Sequence, residues 1–98
     1  MDVLVRLFKS VANEKRIMLL ETLMEKGEMQ LDVLVSYVKL PYKTVSRNVK
    51  NLEKSTLVKR RTLKGKVYYS IEGSPSLYYG KTLLRLIRQQ KSRKKKRS

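Results

Sequence analysis

At 98 residues, 41% of them hydrophobic, the chain is sized for one small globular domain and is too apolar for disorder throughout. It holds neither cysteine nor histidine, which excludes disulfides and thiolate metal sites and removes the commonest catalytic bases and nucleophiles. Lys and Arg number 24 against 8 Asp and Glu, a formal net charge of +16 that repels itself unless a polyanion is the partner, nucleic acid first and an anionic membrane surface second.

Val3, Leu4, Leu7, Phe8 and Val11 recur at helical spacing and predict a first helix over residues 2–11. Asn13 is a good N-cap, and Glu14 suits the first turn of a second helix that runs to Lys26. Its expected apolar stripe is Ile17, Leu20 and Met24, widened by Leu19 and Leu23, with Gly27 as the left-handed stop. Leu31, Leu34, Val35 and Val38 predict a shorter third helix, ending near Leu40 because the residue before a proline is pushed out of helical geometry. Pro41 suits the first position of a fourth helix, whose buried stripe is Val45, Val49 and Leu52.

The period then changes. Val67, Tyr69 and Ile71 alternate with Tyr68 and Ser70, as in a half-buried strand over Lys66 to Ile71. Lys59 to Leu63 is the expected partner strand, and Lys64-Gly65 the hairpin loop. Ser74-Pro75 opens a predicted last helix carrying Leu77, Leu83, Leu84 and Ile87. The expected domain is residues 1–90, followed by an unstructured basic tail over 91–98. Lys91, Arg93, Lys94, Lys95, Lys96 and Arg97 contribute six of the sixteen net charges, so residues 1–90 alone still carry +10.

The expected fold is mainly α with a small β-hairpin: five helices plus a wing. The short Lys39-Leu40-Pro41 connection is a helix-turn-helix signal, and the hairpin after the second of those helices makes it winged. At ~100° per residue, Lys43, Arg47, Lys50 and Lys54 share one face of the fourth helix, opposite Val45 and Val49. A helix with one face in the core and a cationic outer face suits a DNA groove, with the residues near its start pointing deepest. Those are Tyr42, Lys43, Thr44, Ser46 and Arg47, flanked by Asn48 and Lys50. Lys43 and Arg47 suit guanine acceptors or phosphates, Ser46 a base edge or phosphate, and Tyr42 a thymine methyl or phosphate. Around the hairpin turn, Lys59, Arg60, Arg61, Lys64 and Lys66 suit the DNA backbone or a narrow minor groove.

Three segments resemble the ArsR type of bacterial and archaeal repressors. Val11-Ala12-Asn13-Glu14-Lys15-Arg16-Ile17-Met18-Leu19-Leu20 looks like that family's opening of its second helix. Leu40 to Leu52, with Thr44-Val45-Ser46-Arg47 inside it, is similar to the recognition helix, and Gly65 to Ile71 to the second wing strand. The resemblance implies a homodimer built from the first and last helices, here Val3, Leu4, Leu7, Phe8, Leu77, Leu83, Leu84 and Ile87; for the last four of these the alternative is packing within the monomer. A short domain whose terminal helices carry apolar stripes also gains from pairing. The chain departs from the family in two places. Glu28-Met29-Gln30-Leu31-Asp32 stands where many members carry a metal-sensing cysteine pair, so no metal or other cofactor is expected. Pro41 replaces what is often a capping serine.

No enzyme is expected, because the eight acids are scattered and no phosphate-binding glycine loop occurs. Met1-Asp2-Val3 lacks the layout of a signal peptide, and no apolar run approaches the ~20 residues that span a bilayer. The expectation is a soluble, cytoplasmic, nucleoid-associated prokaryotic protein that regulates transcription by binding specific double-stranded DNA as a homodimer. Two alternatives remain at this level. One is an architectural, genome-coating protein of little sequence preference. The other is an RNA-binding winged helix in which Tyr68, Tyr69, Tyr78 and Tyr79 stack on bases.

Overall fold

The computed structural model describes residues 5, 8, 9, 11–72, 82 and 84–90. Val3, Leu4, Leu7, Ser74, Pro75, Leu77, Leu83 and the tail over 91–98, all given roles above, lie outside the described residues.

Helix α1 spans Glu14–Lys26. Asn13 starts it from an extended backbone, and its Oδ1 accepts the N–H groups of Lys15 at 2.9 Å and Arg16 at 3.3 Å. The helix stops at Gly27, φ 87°, whose N–H donates to the Leu23 carbonyl. The buried face is centred on Leu19, Leu20 and Leu23, while Ile17 and Met24 are half-buried against the core. The expected stripe is therefore rotated, because the core reaches this helix from the side of Leu19 and Leu23.

Strand β1, Met29–Gln30, was not expected. It feeds directly into α2, Leu31–Val38, which buries Leu34 and Val38. Lys39 ends α2 in the left-handed region at φ 56°, and Leu40-Pro41 leads into α3, Tyr42–Lys54. Pro41 is the N-cap rather than the first helical residue, and its carbonyl accepts the N–H of Val45. Val45, Val49 and Leu52 are fully buried, as their spacing predicts.

The end of α3 has a specific geometry. The N–H of Leu57 donates to Leu52 and that of Thr56 to Glu53, the paired bonds of a Schellman stop. Leu52 and Leu57 are both fully buried, supplying the apolar contact that accompanies such a stop. The left-handed residue here is Thr56, φ 59°, rather than the usual glycine.

Strands β2, Val58–Leu63, and β3, Lys66–Ile71, form an antiparallel hairpin with Arg60 opposite Tyr69 and Arg61 opposite Tyr68. Lys64 and Gly65 both have positive φ, 51° and 79°, as a two-residue primed turn requires. Strand β1 adds to the far side of β3, with Met29 opposite Tyr69, giving the order β1-β3-β2. The hairpin thus becomes a three-stranded sheet that is anchored at its base and free at its tip. Val58 is buried, whereas Lys59 to Leu63 are exposed.

Residues 84–90 are helical, as are the described residues 5, 8, 9, 11 and 82. Leu84 and Ile87, expected at a dimer seam, are only 7% and 6% exposed within one chain. They join Val11 and the leucines of α1 in the protomer's own core. Among the described residues near the two ends, the exposed apolar side chains are Val5, Phe8 and Leu86, of which Phe8 was expected at the seam.

A β-branched residue held in the left-handed region costs roughly 1–2 kcal/mol. Thr56→Asn, which tolerates that backbone, is expected to stabilise the fold by about 1 kcal/mol, read as a higher urea midpoint. An unchanged or lower midpoint would mean that the Thr56 hydroxyl, bonded to the Ser55 carbonyl at 2.6 Å, offsets the strain.

Candidate nucleic-acid interface

The outer face of α3 follows from how its inner face is seated. With Val45, Val49 and Leu52 turned into the core, Lys43, Arg47, Lys50 and Lys54 are all exposed, on the opposite side of the helix. Tyr42 is exposed at the N-terminal end, and Thr44 and Ser46 are half-buried on the flanks. No side chain caps the start of α3, so the first backbone N–H groups and the positive end of the helix dipole lie beside Tyr42 and Lys43. Lys54 in the last turn complements the negative end.

Asn48 does not belong to this face. It is buried, its Nδ2 donates to the Thr44 carbonyl at 2.8 Å, and its Oδ1 accepts from Nε of Arg16 at 2.8 Å. The helical wheel contains the signal for this: Asn48 lies ~140° around from Lys43, at the edge of the buried stripe. The expectation that it flanks the DNA-facing residues is corrected accordingly.

The wing's cations divide into two sets. Lys59, Lys64 and Lys66 are exposed. The two arginines are also exposed but are held by carboxylates of the same chain. Nε and Nη2 of Arg61 donate to the two carboxylate oxygens of Glu28 at 2.8 and 2.7 Å, a fork-to-fork pair across the outer face of the sheet. The hydrogen bond Arg61 donates to Glu28, and then the charge of that carboxylate, pushes the Arg61 pKa further up, so the guanidinium stays fully charged. Nε of Arg60 lies 3.4 Å from Glu53 on α3, tying the wing to that helix. Nothing local in the sequence marks Glu28 or Glu53 as a partner of the wing, because each pairs with a residue in a separate element.

Tyr69 sits on the core face of β3, 5% exposed. Burial, then the charge of Glu53, pushes its phenol pKa up, and Arg60 partly opposes this. A ring so enclosed cannot stack on a base, which removes one of the four tyrosines from the RNA alternative. Tyr78 and Tyr79 lie outside the described residues. Among the described residues, no group of three or more His, Cys, Asp or Glu side chains is placed to hold a metal ion, and no helix is long and apolar enough to cross a membrane.

Known structures share this fold. The transcriptional regulator HlyU of Vibrio vulnificus CMCP6 is 26% identical over 88% of this chain and 84% of its own, with a TM-score of 0.69. NolR of Sinorhizobium fredii is 25% identical over 89% and 82%, with a TM-score of 0.72. The Mb0332 fragment of Mycobacterium bovis is 25% identical over 93% and 80%, with a TM-score of 0.75. It is described as a homodimeric winged helix-turn-helix DNA-binding domain and a possible ArsR-family transcriptional regulator. No curated protein matches the sequence significantly. The profile of the HVO_A0114 family matches residues 11–72, the segment that contains α1 to β3. The fold is that of ArsR-type winged helix-turn-helix regulators, and the chain belongs to the HVO_A0114 family.

Proposed function

We propose that this protein is a transcriptional regulator that binds specific double-stranded DNA as a homodimer, α3 in the major groove and the wing alongside. The observation that carries the reading is the four-cation stripe of α3, exposed in full and backed by buried aliphatics. Arg47 and Lys43 donate to guanine acceptors or phosphates; Tyr42, Thr44 and Ser46 sit where base edges and phosphates are reached; and Lys50 and Lys54 lie along the backbone. HlyU as a regulator and Mb0332 as a homodimeric DNA-binding domain support the assignment. Binding, not catalysis, is its activity, and it needs no cofactor or metal. Its place is the cytoplasm, on the nucleoid.

In the proposed dimer, the terminal helices pair through Val5, Phe8 and Leu86, which are 44%, 52% and 54% exposed in one chain. Two-fold symmetry then calls for a palindromic site with half-sites about 34–36 Å apart. The tail over 91–98 acts as a sequence-independent phosphate anchor. The residual charge of +10 without it also suits an architectural protein. Selection of bound sequences from a random duplex pool separates the two readings: a palindromic consensus supports the regulator, and no consensus supports the architectural protein.

Arg47→Ala is expected to weaken the selected duplex by about 1–3 kcal/mol and relax sequence preference. Unaltered affinity in a titration would remove α3 from the groove. Within the wing, Glu28→Gln releases Arg61 for a phosphate, so the slope of log K against log salt should steepen by roughly one ion, while deletion of 91–98 should flatten it. Equal slopes for all three proteins would mean that neither the wing arginine nor the tail meets phosphate. Phe8→Glu should convert the dimer to a monomer in sedimentation equilibrium, because a charge buried in an apolar seam is unpaired. A dimer that survives this change would place the seam elsewhere.

A further inference from the structure

Asn48 is a polar side chain set in the buried flank of α3, and both ends of its amide are used. Nδ2 donates to the Thr44 carbonyl within the helix, and Oδ1 accepts from Nε of Arg16, each at 2.8 Å. The reversed amide would set its NH2 against the guanidinium, donor against donor, so the orientation is determined. Arg16 is half-buried in the first turn of α1, where its own backbone N–H is held by the capping Asn13. Its Nη1 also donates to the carbonyl of Lys9 at 3.4 Å. A single side chain therefore joins the helical residues ahead of α1, α1 itself and α3.

We propose that Arg16 is a positioning residue: through Asn48 it sets the rotation of α3 about its own axis, and with it the sequence discrimination of the interface. The proposal rests on the reading of α3 as the DNA-recognition helix. Val45, Val49 and Leu52 hold that helix by apolar contacts, which have no preferred direction. Hydrogen bonds do have one, and they weaken steeply as the angle bends. With side chains, a helix has a radius of about 5–6 Å, so a roll of ~20° moves its outer tips by about 2 Å. That displacement exceeds the tolerance of a hydrogen bond to a base edge. It changes little in the attraction to phosphates, which extends over a Debye length of about 8–10 Å. Losing the Arg16–Asn48 link should therefore cost base readout and spare non-specific binding. Neither residue lies on the cationic stripe, so the effect is transmitted rather than direct.

The test compares the full-length parent with Arg16→Lys, Asn48→Ala and the double variant. Lysine keeps the charge and loses the planar fork, so the count of cations is unchanged. Titrations use the duplex selected by the parent and a random duplex, each at several salt concentrations. Each single variant should bind the selected duplex about tenfold more weakly, with random-duplex affinity and salt slope as in the parent. The double variant should be no weaker than the weaker single, because both remove one link. The proposal is overturned if Arg16→Lys leaves the selected duplex unaffected, weakens both duplexes alike, or combines multiplicatively with Asn48→Ala. Should Asn48→Ala fail to fold, Arg16→Lys alone decides.

A second readout needs no DNA. Residual dipolar couplings of the Cα–Hα bonds over residues 42–54 report the roll of α3 in the free protein, and they should change in Arg16→Lys. Unchanged couplings overturn the proposal. If the parent selects no duplex at all, the DNA-regulator reading fails on its own, and the couplings still decide whether Arg16 orients the helix.

Discussion

Val45, Val49 and Leu52 pack with no exposed surface against the helical core, and that seat decides which way four cations point. Burying each such side chain stabilises the fold by roughly 1.5–3 kcal/mol. The like charges that line the outer face oppose it through the neighbouring pairs 43–47, 47–50 and 50–54, each costing about 0.2–0.5 kcal/mol. Apolar burial outweighs repulsion several-fold, so α3 holds a surface that would be unfavourable on an isolated helix. A polyanion lying along that surface removes the remaining penalty, which is why the fold and the proposed partner form one physical argument.

The wing shows a different use of charge. Arg60 and Arg61 both face carboxylates of their own chain, one on α3 and the other just ahead of β1. Surface ion pairs contribute little to stability, typically under about 1 kcal/mol. Their geometric effect is larger, because the planar guanidinium of Arg61 bonded at both oxygens of Glu28 orients the sheet's outer face. Lys59, Lys64 and Lys66 are exposed, so the wing has two carboxylate-paired arginines midway along β2 with exposed lysines on either side of them.

Local chemistry made much of this fold legible in the sequence. Asn13 as a cap, Gly27 as a stop, the break at Leu40-Pro41 and the Lys64-Gly65 turn each act through their own backbone preferences, and each appears where expected. What was not legible depends on distant partners. Strand β1 has two residues, too few to show alternation, and exists because β3 offers it an edge. The Arg16–Asn48 and Glu28–Arg61 pairs join residues 32 and 33 positions apart, a separation that no local pattern encodes. Leu84 and Ile87 repeat as a surface stripe would, yet the monomer's own core covers them. Asn48 is the instructive case: it is expected to flank the DNA-facing residues, yet it lies at the edge of the buried stripe, itself buried and bonded to Arg16.

The proposed function turns on whether the cationic stripe of α3 enters the major groove. Dimethyl sulfate footprinting distinguishes the grooves, since the reagent methylates guanine N7 in the major groove and adenine N3 in the minor groove. On a duplex bound by the protein, the account calls for guanine N7 shielded in two patches about one helical turn apart. Shielding of adenine N3 alone, with guanine N7 fully reactive, would contradict it.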